Sequence, residues 1–156
     1  MIKGTLCYII AEGKILLIRK KKGLGEGLFN GPGGKIEDGE TPDTAAVREF
    51  VEETGVMPLN PEHCGTVAFY FGQKQKPDWM VHVFKATKFK GEPISTEEAE
   101  PQWFDLASVP YSQMWPDDAI WMPLMLEGKK FMGKFYFDET GKAMKDHEIV
   151  ALDVSA

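Results

Sequence analysis

Cysteine is scarce and long apolar runs are missing. The 156 residues hold two cysteines, Cys7 and Cys64, too few to staple a scaffold of this size, so buried inert thiols in a reducing compartment are expected. Apolar stretches such as Leu6 to Ala11 break off far short of a bilayer span. No basic start followed by an apolar stretch and a small-residue cleavage site marks a secretory leader. A cytoplasmic location without a membrane partner follows as the expectation. Positive charge is also short: 18 Lys and Arg against 24 Asp and Glu leave −6, which disfavours a nucleic-acid polymer or anionic lipid as partner and requires local neutralisation around any polyanionic ligand. Repeats, low-complexity tracts and interdomain linkers are absent. What is present, 43% hydrophobic and 27% charged residues, has the balance of a globular chain, at a length that suits one domain over residues 1–156.

Two β-rich runs, Lys3 to Ala11 and Lys14 to Lys20, flank Glu12-Gly13, a turn pair that fits a hairpin. Glycine then crowds the segment from Lys20 to Glu40, the mark of a backbone that turns sharply or approaches a ligand closely. A helix is predicted from Thr41 to Thr54, with Thr41 as cap, Pro42 at the first helical position, Asp43 at the positive end of the dipole and Gly55 closing it. Strands follow over Thr66 to Phe71 and Met80 to Lys88, with a short segment around Trp103 and Phe104. A second helix is read over Asp117 to Leu126, with Pro123 tolerable only in its first turn or at a kink. Phe131, Gly133, Phe135 and Phe137 share one face of a later strand and Met132, Lys134 and Tyr136 the other; a last strand spans Ile149 to Val154. This order argues for α+β, a mixed or antiparallel sheet with a helix on each side.

The first helix carries the chemistry. Its pattern reads as a core face of Ala46, Val47, Phe50 and Val51 and, roughly opposite, a carboxylate patch of Glu49, Glu52 and Glu53. Like charges three and four residues apart destabilise a helix, and Arg48 alone leaves an excess of negative charge. A solvated acidic face is one reading. The other is a hard divalent cation, since Mg²⁺ is held by one or two carboxylates while phosphate and water complete its shell. The adjacent Gly31-Pro32-Gly33-Gly34 loop offers carbonyls to such an ion and amides to phosphate.

Gly34, five residues, Glu40, seven residues, then Arg48-Glu49-Phe50-Val51-Glu52-Glu53-Thr54-Gly55-Val56 resembles the signature of the Nudix hydrolase family at every defining position. Competing glycine-rich readings fail: Gly23-x-Gly25-x-Gly27 lacks dinucleotide-fingerprint spacing, and Ile36 stands after Lys35 where a P-loop needs Ser or Thr. The resemblance implies a Nudix fold, an α/β/α sandwich, and a Mg²⁺-dependent hydrolase, with Mn²⁺ as an acceptable substitute, that cuts a pyrophosphate linkage. It further implies that Glu49, Glu52 and Glu53 hold the metal and supply the base, that Arg48 orients them, and that the Gly33 carbonyl is a further ligand. Glu98 resembles a downstream glutamate that assists metal or water in some relatives, although Glu97-Glu98-Ala99-Glu100 also reads as a solvated loop.

A second resemblance runs through Gly23 to Lys35, Val81-His82-Val83-Phe84, Trp103-Phe104 and Trp115-Pro116-Asp117-Asp118 with Trp121 and Pro123. It is to the oxidised-purine branch of that family, the mammalian MutT-homologue type. That likeness implies a small-molecule purine nucleoside triphosphate as partner, cut to monophosphate and pyrophosphate, with Asn30, Asp117 and Asp118 on the base edge and Trp115 stacked on the purine. Thr5, Lys20, Phe69 and Phe71 fall at positions that line the pocket in that branch, and Trp121 is carried over with them as a substrate-binding residue. Leu24, Leu28, Phe29, Pro32 and Trp79 differ from it in type. A monomer is expected. Plainer readings stand beside these: Asp117 or Asp118 as a helix cap, Trp115, Trp121 and Phe69 as core, and His82 as a packed or hydrogen-bonded histidine. Rival functions are a Nudix enzyme for a methylated purine triphosphate, a cap, ADP-ribose or a dinucleoside polyphosphate, and a non-catalytic nucleotide-binding domain.

Overall fold

The structure, a computed structural model, describes residues 1–23 and 25–152. Leu24 and positions 153 and 154 of the predicted last strand therefore lie outside the described residues. Among the described residues eleven strands and two α-helices follow one another: β1 Ile2–Ala11, β2 Lys14–Lys20, β3 Phe29–Asn30, β4 Gly33–Lys35, α1 Pro42–Thr54, β5 Met57–Leu59, β6 Glu62–Phe71, β7 Trp79–Ala86, β8 Lys88–Lys90, β9 Ala99–Asp105, α2 Asp118–Leu126, β10 Lys130–Phe137 and β11 Met144–Leu152. The nine-stranded sheet runs β11-β10-β6-β7-β1-β2-β3, with β4 on β1 and β9 on β2, while β5 and β8 form a separate pair. It is mixed, since β1 pairs with β7 and β10 with β6 in parallel and the other neighbours are antiparallel.

Side chains alternate across a strand, so one strand can feed two cores. On β1, Cys7 and Ile9 join the cluster that holds Ala46 and Phe50 of α1, whereas Tyr8 joins the cluster that holds Trp121, Met122 and Met125 of α2. The helices thus cover opposite faces, as the α/β/α expectation has it. In β10, Phe131, Gly133, Phe135 and Phe137 are buried, while Met132 and Lys134 are exposed and Tyr136 is half-buried on the other face.

Two local readings are corrected, and one of two alternatives is removed for Pro123. In α1 it is Ala46, Phe50, Glu53 and Thr54 that point inward, and Val51 is 37% exposed. Seven residues at about 100° each bring Glu53 to within about 20° of Ala46, so Glu53 belongs to the buried stripe and not to an opposite acidic face. Thr41 stands at the N-cap without bonding a helix amide, its hydroxyl donating instead to Asp43 Oδ1 at 2.6 Å. Pro123 sits in the interior of α2 and not in its first turn. Gly55 closes α1 as expected, at φ 77° with its amide donating to the Val51 carbonyl at 2.9 Å.

Burial decides the energetics of α1. Phe50→Ala is expected to cost about 3 to 5 kcal/mol, the range for emptying a fully buried aromatic site, and Val51→Ala less than about 0.5 kcal/mol. Urea unfolding of the two variants checks the contrast.

Candidate active site

A cavity of about 270 Å³ opens between β1, the β3–β4 loop, the β6–β7 floor and the start of α2. Thr5, Lys20, Asn30, Gly33, Glu53, Phe69, Phe71, Trp115, Asp117 and Asp118, all singled out from the sequence, line it. One end is built on α1. Glu53 is 6% exposed, and the Gly33 amide donates to its Oε2 at 3.4 Å. Beside it the Glu49 carboxyl lies on the backbone of Gly34, where an added Cβ would come within 2.6 Å of it. A side chain at position 34 would displace the carboxylate.

Arg48 organises the acids around this end. Its Nε and Nη2 donate to the two oxygens of Glu40 at 2.7 and 2.9 Å, its Nη1 to Glu49 at 2.9 Å and to Glu52 at 3.3 Å, and its Nη2 to the Lys35 carbonyl at 3.1 Å. The guanidinium holds the Glu40 carboxyl below its usual range. Burial pushes Glu53 up to about 8, with Glu49 adding to the rise and Lys20 opposing it. Glu49 is raised too, by burial first, with Arg48 opposing. Among the described residues no three acidic, histidine or cysteine side chains already converge as a cation cage. Glu52 is turned outward to Arg48, with half of its side chain exposed. Glu98 is an exposed residue before β9 whose charge raises both Glu49 and Glu53.

The other end is aromatic and acidic. Trp115 stands edge-on to Phe137 at 6.4 Å, above a floor of Phe69 and Phe71. Asp117 and Asp118 are 2% and 5% exposed, and burial raises both carboxyls, Asp117 to about 6 and Asp118 well above its usual range, with the Asp117 charge adding to the latter. Asp117 occupies the N-cap of α2 without bonding an amide; its Oδ2 accepts the Trp121 indole proton at 2.8 Å. Side-chain capping is therefore not its role. Trp121 itself is fully buried in the core, reaching the cavity only through Asp117. Among the described residues two buried oxygens, Thr5 Oγ1 and Asp117 Oδ1, have no hydrogen-bond partner, and both belong to residues of this wall. Buried polar atoms are normally paired, so such orphans mark where a ligand is met.

Tyr8 and Phe137 also line the cavity and were not assigned to it from the sequence. Strand alternation groups Tyr8 with Gly4 and Leu6, and Phe137 with Phe135, but which sheet face borders a cavity is decided by distant packing. Cys7 and Cys64 are both buried, their thiols pushed to about 12 and about 11. His82 Nδ1 meets His63 Nε2 at 3.0 Å, the hydrogen-bonded histidine expected.

The NUDIX domain model matches residues 2–125, and the chain belongs to the Nudix family. It is 45% identical over 134 residues to the oxidized purine nucleoside triphosphate hydrolase of Danio rerio, covering 85% of each chain. It is 41% identical over 136 residues to the protein of the same name in Mus musculus, covering 86% of each. Among solved structures, a mutator MutT protein from Bacillus halodurans superposes with a TM-score of 0.84 at 26% identity, over 96% of this chain and 97% of that one.

A buried carboxyl with a raised pKa stabilises the fold while protonated and withdraws that contribution as pH climbs from its unfolded value, near 4.5, through about 8. Glu53→Gln removes the titration. In metal-free buffer the variant should gain stability over the parent at pH 8, on the order of 2 kcal/mol, and little at pH 5. Thermal melts across that interval read the difference; a gain independent of pH contradicts the assignment.

Proposed function

We propose that the chain hydrolyses oxidised purine nucleoside triphosphates, such as 8-oxo-dGTP and 2-hydroxy-dATP, to monophosphate and pyrophosphate. The supporting observation is that a single cavity joins a carboxylate end carrying Lys20 to an aromatic end carrying two buried aspartates. A purine needs a plane against its face and a few placed polar groups at its edge; Trp115 supplies the first, and Asn30, Asp117 and Asp118 the second. Phe69 and Phe71 form the floor, Thr5 offers its orphaned hydroxyl, and Trp121 holds Asp117. The relatives from zebrafish and mouse, by name oxidized purine nucleoside triphosphate hydrolases, support the same substrate class.

At the phosphate end the donors are carboxylates and the Gly33 carbonyl, an all-oxygen set that suits a hard divalent cation, Mg²⁺ first and Mn²⁺ as substitute. Glu49, Glu52, Glu53 and Gly33 are the residues assigned to it, with Glu98, whose charge reaches Glu49 and Glu53, as a further candidate. When bound, the ion neutralises charge on the phosphate chain and polarises phosphorus. Glu53, buried beside the Gly33 amide, is the residue we assign to take a proton from water once a cation beside it favours its ionised form. Arg48, engaged by four glutamates at 3.9 Å or less, positions Glu49 and Glu52. The acidic surface fits a monomeric cytoplasmic enzyme that binds neither nucleic-acid polymers nor membranes. Among the described residues no helix is long and apolar enough to cross a membrane.

Glu53→Gln is expected to lower turnover by about two orders of magnitude or more. The rate ratio of 8-oxo-dGTP to dGTP, with a methylated purine triphosphate alongside and the products identified, tests the substrate class; a preference for the methylated or the normal purine overturns it. The two aspartates add a pH signature. Two adjacent buried carboxyls do not both ionise readily, so near pH 6 the pair holds a proton that lets it donate as well as accept. Raising the pH removes that proton, and the base that needs a donating carboxyl loses kcat/KM first. Identical pH profiles for 8-oxo-dGTP and 2-hydroxy-dATP between pH 5 and 8 rule the mechanism out.

A further inference from the structure

Two imidazoles meet away from the cavity, on the β6–β7 ladder. There Thr66 stands opposite His82 and His63 opposite Phe84, and the register slips between His63 and Gly65, leaving Cys64 without a partner. Such a bulge bends its strand and re-aims the side chains beside it. Here His63 reaches diagonally across to His82: its Nε2 lies 3.0 Å from Nδ1 of His82. The ring centroids are 5.2 Å apart at 58°, and Phe84 backs His63 edge-on at 5.2 Å. His63 is exposed and His82 half-buried, so solvent reaches the pair.

A neutral imidazole has one N–H and one bare nitrogen, so in this contact one ring donates and the other accepts. Moving the donor's hydrogen to the second nitrogen of its own ring leaves two lone pairs facing each other without any change of charge. Burial holds both rings below their ordinary range, His82 and Lys130 adding to the effect on His63 and Lys3 to that on His82, and the neutral ring is the form that ligates. With metal–nitrogen bonds of about 2.0 to 2.1 Å, two imidazoles in neighbouring positions of a tetrahedral or square shell stand about 2.9 to 3.4 Å apart. The 3.0 Å separation falls within that bite, and a turn of each ring by roughly 40° aims both lone pairs at one point.

The surroundings select the class of ion. Lys130 donates to the His63 carbonyl and to Glu62 Oε1, and the charge of Lys3 reaches His82. A hard cation such as Mg²⁺, which takes oxygen ligands, gains nothing from two imidazoles beside two lysines. Zn²⁺, Ni²⁺ and Cu²⁺ bind imidazole nitrogen. The geometry points to a transition-metal site in which His63 Nε2 and His82 Nδ1 are adjacent ligands and water fills the remaining positions. A bound ion would clip β6 to β7 at the end of their ladder away from the Phe69–Trp79 pair. Neither histidine lines the cavity, so the site is separate from the carboxylate end and stands whether or not the purine triphosphate reading does.

Titration of the Mg²⁺-saturated protein with nickel chloride, followed by calorimetry and amide NMR, tests it. The expected result is saturation at one equivalent with paramagnetic broadening centred on residues 62–66 and 81–84. His63→Gln and His82→Gln should each weaken Ni²⁺ binding by about tenfold or more, since even a group that only supports a ligand is worth about that much. Zn²⁺ at about a hundredfold excess over its Kd should raise the Tm of the parent by about 5 to 10 °C, and that of either variant by about half as much or less. Broadening centred instead on Glu49 and Glu53, on His147 or on the N-terminus overturns the site, as does the lack of saturable binding or an unchanged affinity in both variants. The broadening map of the parent needs no substitution, so a variant that fails to fold does not spare the proposal.

Discussion

A carboxylate forced onto the buried stripe of a helix is the constraint around which the rest is arranged. Glu53 shares that stripe with Ala46 and Phe50, both without solvent exposure. Burying a phenylalanine contributes roughly 1.5 to 3 kcal/mol, comparable with what an under-solvated polar group costs. Hydrophobic packing of α1 therefore holds a group where water would not leave it. The backbone of β4 completes the arrangement: Gly33 approaches β1 so closely that a Cβ there would fall 1.9 Å from the Thr5 carbonyl oxygen, and this approach aims its amide at Glu53.

Strand β1 ties that acidic end to the aromatic one. Successive residues of a single strand, Ile9 and Tyr8, belong to the cores under α1 and α2 respectively, and Thr5 between Gly4 and Leu6 lines the cavity that both helices border. Displacement of either helix is thus transmitted to the other through a strand paired on both sides. The two ends of the site hold their separation because rigid sheet, and not loop, spans it.

Legibility in the sequence followed locality. The segment from Gly34 to Val56 announced its helix, its closing glycine and its acids because all of them lie within a few turns of one another. The sheet's alternation in Phe131 to Phe137 was equally plain. The inward position of Glu53 was open to the same 3.6-residue arithmetic, yet its charge suggested a solvated side, and residue type prevailed over angle. Asp117 shows a related case: a carboxylate at a helix start reads as a cap, although the Trp121 indole that it bonds stands only four residues on, a neighbour on the same helix face. Tyr8 was hidden more deeply, since its neighbour Gly31 lies beyond two intervening strands and a loop, and no local pattern marks a glycine as the bed for a distant ring. The β5–β8 pair escaped notice for a similar reason, each member being three residues long.

Charge sets a last condition on the proposed reaction. A protein of net charge −6 repels a triphosphate at long range, so attraction must be local and of short reach. Arg48 does not supply it: its guanidinium is already shared among Glu37, Glu40, Glu49 and Glu52, and drawing it toward phosphate would leave Glu40 and Glu49, each with a side chain only 15% exposed, without their cation. Lys20 is the cation in the cavity wall, and its charge already acts on Glu53. One lysine against a triphosphate and several glutamates leaves the balance negative. On this reading the divalent cation is a condition of binding as much as of chemistry, and the buried, raised carboxyls of Glu49 and Glu53 follow from the same balance, since each acquires a reason to ionise only when positive charge arrives beside it.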